Sequence, residues 1–183
     1  GLRKNEEYLL KCNTFLENPR TDRIATVIED KKNLYGVYAA LFSLPGRVSL
    51  YYGAEYGLTG KKEEDEEALL SSGLTKEEYT PDRFTSFVAK LSEIHGKNSE
   101  LQNGQYKEVY LDHRLYAFLR IDENSGGLSV LNNDAMDQFI RLSIPFRARL
   151  AFDLFTQDEV EIGYDGKLRV FCPAHSGRLI KVK

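Results

Sequence analysis

A positive charge excess is missing from this chain: 25 Lys and Arg stand against 28 Asp and Glu, a net charge of -3. A nucleic-acid binder needs a concentrated basic face, so composition gives no case for a nucleic-acid partner. No apolar run approaches the roughly 20 residues that cross a bilayer, and no membrane partner is expected. Cysteine occurs only as Cys12 and Cys172, far apart and forming no CxxC pair. This favours buried free thiols and leans toward the cytoplasm, although a disulfide between them stays open and the sequence fixes no compartment. The three histidines, His95, His113 and His175, have no metal-ligand spacing and read as surface or satisfied residues. No glycine-rich phosphate loop follows a strand. The acidic run at 61–67, KKEEDEE, reads as a solvated loop or as the first turn of a helix reaching Ser72, because nothing spaces its carboxylates for octahedral ligation. No metal and no cofactor are expected. No secretion signal is read, which says little of export where a chain begins inside a longer protein.

What is present starts with Leu44 to Gly57, LPGRVSLYYGAEYG. Pro45 and Gly46 stop what precedes them. Val48 to Tyr52 is a short, mostly apolar, β-favouring run, and Gly53 ends it ahead of a polar loop with Glu55, Gly57 and Gly60. The pattern predicts a strand buried on both sides that opens onto a loop at its C-terminal end, the end where α/β barrels hold ligands. Tyr51, Tyr52 and Tyr56 are therefore the aromatic residues singled out as faces on which a pyranose ring stacks. Most of the other aromatics fall at core-facing positions.

Upstream, residues 5 to 12 read as helix, and Thr14 to Glu17 as a strand running into Asn18-Pro19, where ladder pairing cannot continue. Ile24, Val27 and Ile28 lie at helical spacing. Asp30 is placed to cap a second helix with Leu34, Val37, Tyr38, Leu41 and Phe42 on one face. Strand, helix and strand make one βαβ unit with parallel strands. Downstream, Thr80-Pro81-Asp82 predicts a helix start, with Thr80 as cap and Pro81 as the first helical residue. Phe84, Phe87, Val88, Leu91 and Ile94 form its stripe, and Gly96 its stop. From Tyr106 the period becomes two. Asp112-His113 connects two such runs, Asn124 to Gly127 reads as a turn, and strands are expected over 128–131, 139–144, 149–154, 159–162, 167–171 and 178–182. Turns are read at Tyr164-Asp165-Gly166 and Ser176-Gly177, while Asp112 and Glu123 read as turn residues rather than an acid/base pair. The expected fold is α+β: an α/β segment over 1–102, then an antiparallel β-sandwich over 103–183.

Three stretches resemble a known family. LFSLPGRVSLYYGAEYGLTG (Leu41 to Gly60) resembles the last barrel strand of the α-amylase superfamily, the family 13 glycoside hydrolases, usually close to LPGxPxxYYGxExGxxG. SEIHGKNSELQNGQYKEVY (Ser92 to Tyr110) is similar to that family's final barrel helix and its exit into the C-terminal domain. The tail from Phe152 to Lys183 is similar to the end of the family's β-sandwich. The order is right over nearly the whole chain, nearest to the neopullulanase and cyclomaltodextrinase branch. The resemblance implies that 1–102 is a partial (β/α) barrel segment, the last βαβα units of a (β/α)8 barrel, and that the ligand is an α-glucan or maltooligosaccharide.

Catalysis in that family uses an Asp nucleophile, a Glu general acid and a third Asp that stabilises the transition state. The first two would lie upstream of Gly1. The third belongs to a motif F-x-x-N-H-D-x-x-R, whose start is matched by Phe15, Leu16, Glu17 and Asn18 and whose end is matched by Arg23. Pro19 and Arg20 stand where His and Asp belong. An arginine there sets positive charge against an oxocarbenium-like transition state. The resemblance thus implies no catalytic residue in this chain, with Asn18, Arg20, Arg23, Tyr52 and Glu55 as candidate substrate contacts. Two readings stay open: an inactive C-terminal fragment of a hydrolase or glucanotransferase, or a degenerate homologue that serves as a glucan-binding or protein-interaction module. Two parallel strands alone leave an open edge, so dimerisation, a domain swap or packing of the helices on the sandwich is also expected.

Overall fold

The computed structural model describes residues 6–63, 81–123 and 125–183. After a short helix α1 (Glu6–Lys11), strands β1 (Asn13–Thr14) and β2 (Arg47–Val48) pair in parallel, Asn13 with Arg47 and Thr14 with Val48. Helices α2 (Ile24–Val27) and α3 (Asn33–Leu41) connect them. Both strands are shorter than the sequence suggests. The Ser49 N–H still donates to the Thr14 carbonyl (2.9 Å), after which each segment leaves the ladder for its loop. Two strands with no third neighbour among the described residues hold little ladder.

Helix α4 (Arg83–Lys97) starts two residues later than expected. Asp82 is its N-cap, its carboxylate accepting from the Thr85 N–H (2.8 Å), so Pro81 precedes the cap. Thr80 and the acidic run beyond residue 63 lie outside the described residues. Gly96 sits inside the last turn rather than closing it. Asn98 follows as the cap, with its side chain donating to the Ile94 carbonyl (2.7 Å), and α5 (Ser99–Asn103) begins directly after. Phe84, Val88, Leu91 and Ile94 bury the expected stripe against Leu34, Tyr38 and Leu41 of α3. Edge-on ring contacts from Phe84 to Tyr35 (5.6 Å) and Tyr38 (5.1 Å) fix the helix pair.

The rest is antiparallel β. A five-stranded sheet runs in the order β3 (Gln105–Leu111), β4 (Leu115–Asp122), β5 (Ser125–Asn132), β9 (Ser176–Val182), β7 (Ala151–Asp153). A second sheet pairs β6 (Gln138–Leu142) with β8 (Leu168–Cys172). Leu115, Ala117, Leu119, Leu128 and Val130 meet Ile140, Leu142, Leu168 and Val170 in the core between them. The segment expected as a strand over 159–162 makes only isolated bridges, Phe152 to Glu159 and Ile162 to Leu168.

Two expected glycine turns are strand instead. Gly126 and Gly127 lie within β5 and Gly177 within β9; the reversal before β9 falls at Ala174-His175. These glycines serve close approach: a Cβ on Gly177 would collide with Ala39 of α3, and one on Gly127 would stand 2.6 Å from Leu101. They let the helices lie flat on the back of the sheet, where Leu131, Leu154 and Leu179 join the helical core. Buried Arg120 crosses the same junction, donating to the carbonyls of Gly104 (2.9 Å), Ser43 (2.9 Å) and Gln102 (3.3 Å). Glu100 and Lys181 form an ion pair beside it (2.5 Å). The tail is pinned by Asp153, whose carboxylate accepts from the Phe155 and Thr156 N–H groups (2.7 and 3.0 Å) and from Arg178 Nε (2.7 Å). Both cysteines are free thiols; Cys172 is buried, but Cys12 is only half-buried.

Candidate functional site

The two loops that leave the C-terminal ends of β1 and β2 meet at one buried ion pair, held within the first loop and bonded to the second through Arg23. Glu17, at the end of the segment after β1, is 3% exposed, and Arg23 is 0% exposed. Arg23 Nη1 donates to Glu17 Oε1 (2.9 Å) and to the Tyr52 carbonyl (2.8 Å). Glu17 Oε2 accepts from the Ile24 N–H (2.5 Å), at the start of α2. The Arg23 guanidinium lies 4.5 Å from the centre of the Tyr51 ring and 5.2 Å from that of Tyr52, within cation–π range. The charge is thus compensated on three sides, as a buried cation requires.

Further hydrogen bonds lace the second loop to the first. The Arg23 N–H donates to the Gly60 carbonyl (3.0 Å), the Gly60 N–H to Thr26 Oγ1 (2.7 Å), and the Lys62 N–H to the Asp22 carboxylate (2.8 Å). From the helical side, the Tyr38 hydroxyl donates to the Ala54 carbonyl (2.8 Å). Burial first, then the carboxylates of Glu17 and Glu55, push the Tyr38 phenol well above its ordinary range, so it remains a donor at any physiological pH. Ala54–Tyr56 forms a single 3₁₀ turn between Gly53 (φ 82°) and Gly57 (φ 65°), two left-handed positions that glycine fills without strain. That turn presents Glu55.

Asn18, Pro19, Arg20 and Thr21 make a closed turn. The Asn18 side chain accepts from the Arg20 N–H (2.8 Å), and the Thr21 N–H donates to the Asn18 carbonyl (3.1 Å). Proline suits the second position of such a turn. Arg20 projects from it, exposed.

The candidate residues therefore fall into three places. Arg23 is buried and structural, and it reaches Tyr52 through the backbone. Tyr52 (40% exposed) and Glu55 share a cleft of about 410 Å³ with Tyr56, Pro81 and Thr85. Asn18 and Arg20 lie outside that cleft on the neighbouring turn. A larger apolar groove of about 490 Å³, between Phe15, Val37 and Leu44 on one side and Leu115 and Leu131 on the other, contains none of them. The histidines all have local partners: His95 the Phe42 carbonyl (2.8 Å), His175 the Asn33 side chain (2.7 Å) and His113 the Arg114 side chain (3.0 Å). Asp112 accepts from the Leu115 and Arg114 N–H groups, which hold its carboxyl down to about 2 and make it a turn residue. Among the described residues no group of three or more His, Cys, Asp or Glu side chains is arranged to hold a metal ion.

Sequence reasoning overlooked Glu17 and Tyr38 as organising residues. The signal was an acid ending an apolar strand with an arginine six positions on, a pair that only burial distinguishes from two surface charges. Chemically, the arrangement offers an aromatic face, one half-buried carboxylate and one exposed guanidinium. Among the described residues it offers no pair of carboxylates facing each other across a cleft, since Glu17 is enclosed by its partners.

No family model matches the sequence. A cyclomaltodextrinase from Thermoanaerobacter pseudethanolicus is 29% identical over 102 residues, 56% of this chain and 17% of that protein. An α-amylase from Anoxybacillus superposes over 99% of this chain and 41% of its own, with a TM-score of 0.80 and 24% identity. An α-amylase from Geobacillus thermoleovorans, solved with acarbose, superposes over 100% of this chain and 42% of its own, with a TM-score of 0.80 and 18% identity. The chain thus spans less than half the length of each of these proteins.

Proposed function

We propose, from this match to α-amylase-family enzymes in sequence and fold, that the chain is the C-terminal part of such a protein and contributes glucan contacts without a catalytic group. In this reading residues 1–102 complete a (β/α)8 barrel and residues 103–183 are the β-sandwich packed behind it. Tyr52 offers its ring to a glucosyl unit, Glu55 accepts from sugar hydroxyls, and Asn18 and Arg20 line the adjoining rim. Arg23 acts as a positioning residue, holding the Tyr52 backbone from below. The ligand class is an α-glucan or maltooligosaccharide.

The observation that carries the reading is Arg20. The motif positions flanking the replaced pair are kept in this chain: Phe15, Asn18 and Arg23 stand in place, and Asn18 and Arg23 make specific bonds. At the position of the motif's acid stands an exposed guanidinium on a turn closed by Pro19. Retaining hydrolysis needs an ionised carboxylate to stabilise developing positive charge, and a cation there opposes it. Hydrolysis by this chain alone is not expected. Whether the longer protein turns over glucan or only holds it depends on carboxylates from other strands.

Reducing-sugar release from maltooligosaccharides tests this, measured on the chain and on the longer polypeptide. The chain should release none. Release by the chain would overturn the proposal. Release by the longer polypeptide would select an enzyme over a binding module while leaving the assignment of this segment in place.

A further inference from the structure

The outer face of the β6–β8 sheet carries a feature that the glucan reading leaves unused. Phe139 lies opposite Phe171 in register, and Arg141 opposite Arg169. Ile140, Leu142, Leu168 and Val170 point into the sandwich core, so the two phenyls and two guanidiniums share the outward face. Phe139 is 81% exposed and its ring lies 4.8 Å from that of Phe171. On one side β6 pairs with β8; on its other side it pairs with no strand among the described residues. An open edge of this kind templates a further strand unless proline, a bulge or an inward charge blunts it. The sequence Gln138-Phe139-Ile140-Arg141-Leu142 contains no proline, its ladder with β8 is unbulged, and its only charge points outward.

We propose that β6 is the surface through which two copies of this chain associate, strand to antiparallel strand across a two-fold axis. The argument for a second copy is self-complementarity. Centred on Ile140, the antiparallel register sets Phe139 of each copy opposite Arg141 of the other, so the same aromatic–cation contact forms twice. Directly opposed side chains have Cβ atoms about 5 Å apart, which brings the guanidinium within cation–π reach of the ring, about 6 Å. Arg141 is held meanwhile by an exposed ion pair to Asp165 (3.2 Å), and exposed pairs of this kind cost little to release. The product is a four-stranded sheet, β8–β6–β6–β8, in which the open backbone groups of β6 are paired and the Phe139 rings are covered.

Sedimentation velocity of the chain over a concentration series tests this. A reversible dimer is expected. Phe139→Arg, which sets like charges against Arg141, should raise its dissociation constant by about tenfold or more. Phe139→Glu, which sets a carboxylate there, should leave it within about threefold. The double variant Phe139→Arg, Arg141→Glu should restore association. The exposure of Phe139 keeps these substitutions away from the core, and unchanged thermal unfolding of the monomer verifies it. A monomer at every concentration would overturn the proposal. So would a dimer weakened equally by Phe139→Arg and Phe139→Glu, or a maltooligosaccharide that binds at Phe139 and Phe171 in a monomeric chain.

Discussion

Replacing Arg23 by methionine should destabilise this chain more than the loss of any exposed charge. The substitution keeps most of the bulk and removes the guanidinium. Glu17 is then a carboxyl group at 3% exposure that has lost its partner, the Tyr52 carbonyl loses its donor, and the Tyr51 ring loses the cation over it. Breaking a buried pair from one side costs about 3–5 kcal/mol. Glu17→Leu strands the opposite charge and should cost a similar amount. The double variant Glu17→Leu, Arg23→Met strands no charge; it leaves the Ile24 N–H and the Tyr52 carbonyl without partners, at about 1–3 kcal/mol each. It should therefore be no less stable than either single variant, giving a coupling energy of about 3 kcal/mol. Urea unfolding at constant m-value measures all four corners of the cycle. Hydrogen exchange at the Arg23 amide, which bonds to the Gly60 carbonyl, should accelerate in both single variants. Single effects below about 1 kcal/mol, or effects that add within about 0.5 kcal/mol, would refute the claim that this pair locks the two loops together.

Other consequences can be checked in the same way. Gly177→Ala should cost about 1–3 kcal/mol, because its Cβ meets Ala39 and pries α3 from the sheet; the urea midpoint reads it. Arg120→Met should cost about 3 kcal/mol or more, since three carbonyls lose a shared donor, and burial, which pulls that guanidinium down to about 10, still leaves it charged at neutral pH. Asp82→Ala should cost about 1 kcal/mol by uncapping α4. The Thr85 N–H chiefly holds the Asp82 carboxyl below its ordinary value, so its contribution is complete above the unfolded value of about 4 and is lost as pH falls through the lower folded value. Thermal unfolding from pH 6 downward should show the wild-type advantage over Asp82→Ala fading in that window; an advantage that grows on acidification would contradict the capping role.

Much of the fold was legible because it rests on local pattern. The Phe84, Val88, Leu91 and Ile94 stripe, the period-two run from Tyr106 and the order of parallel β1 and β2 follow from spacing alone. What misled was glycine. Gly126, Gly127 and Gly177 signal a turn in sequence, yet they mark places where a helix or a ring presses on a strand, a relation between distant segments. Helix limits slipped for a similar reason: Asp82 and Thr80 are equally good caps on paper, and Gly96 stops a helix only if its φ turns positive. At the candidate site, the loop signal singled out Tyr52 with Tyr51 and Tyr56, whereas Glu55 became a candidate through the family resemblance. The separation of Tyr52 and Glu55 from Asn18 and Arg20, and the burial of Arg23 with Glu17, depend on packing that no single stretch encodes.

The proposal at the centre of this account is that the chain contributes contacts to an α-glucan and supplies no group that cuts it. Titration calorimetry with a maltooligosaccharide reads both halves at once, because binding gives a saturable heat and hydrolysis a continuing one. The account predicts saturable heat with no continuing signal, and an affinity at least about tenfold weaker in Tyr52→Ala. Continuing heat of turnover, or binding that Tyr52→Ala leaves unchanged, would contradict it.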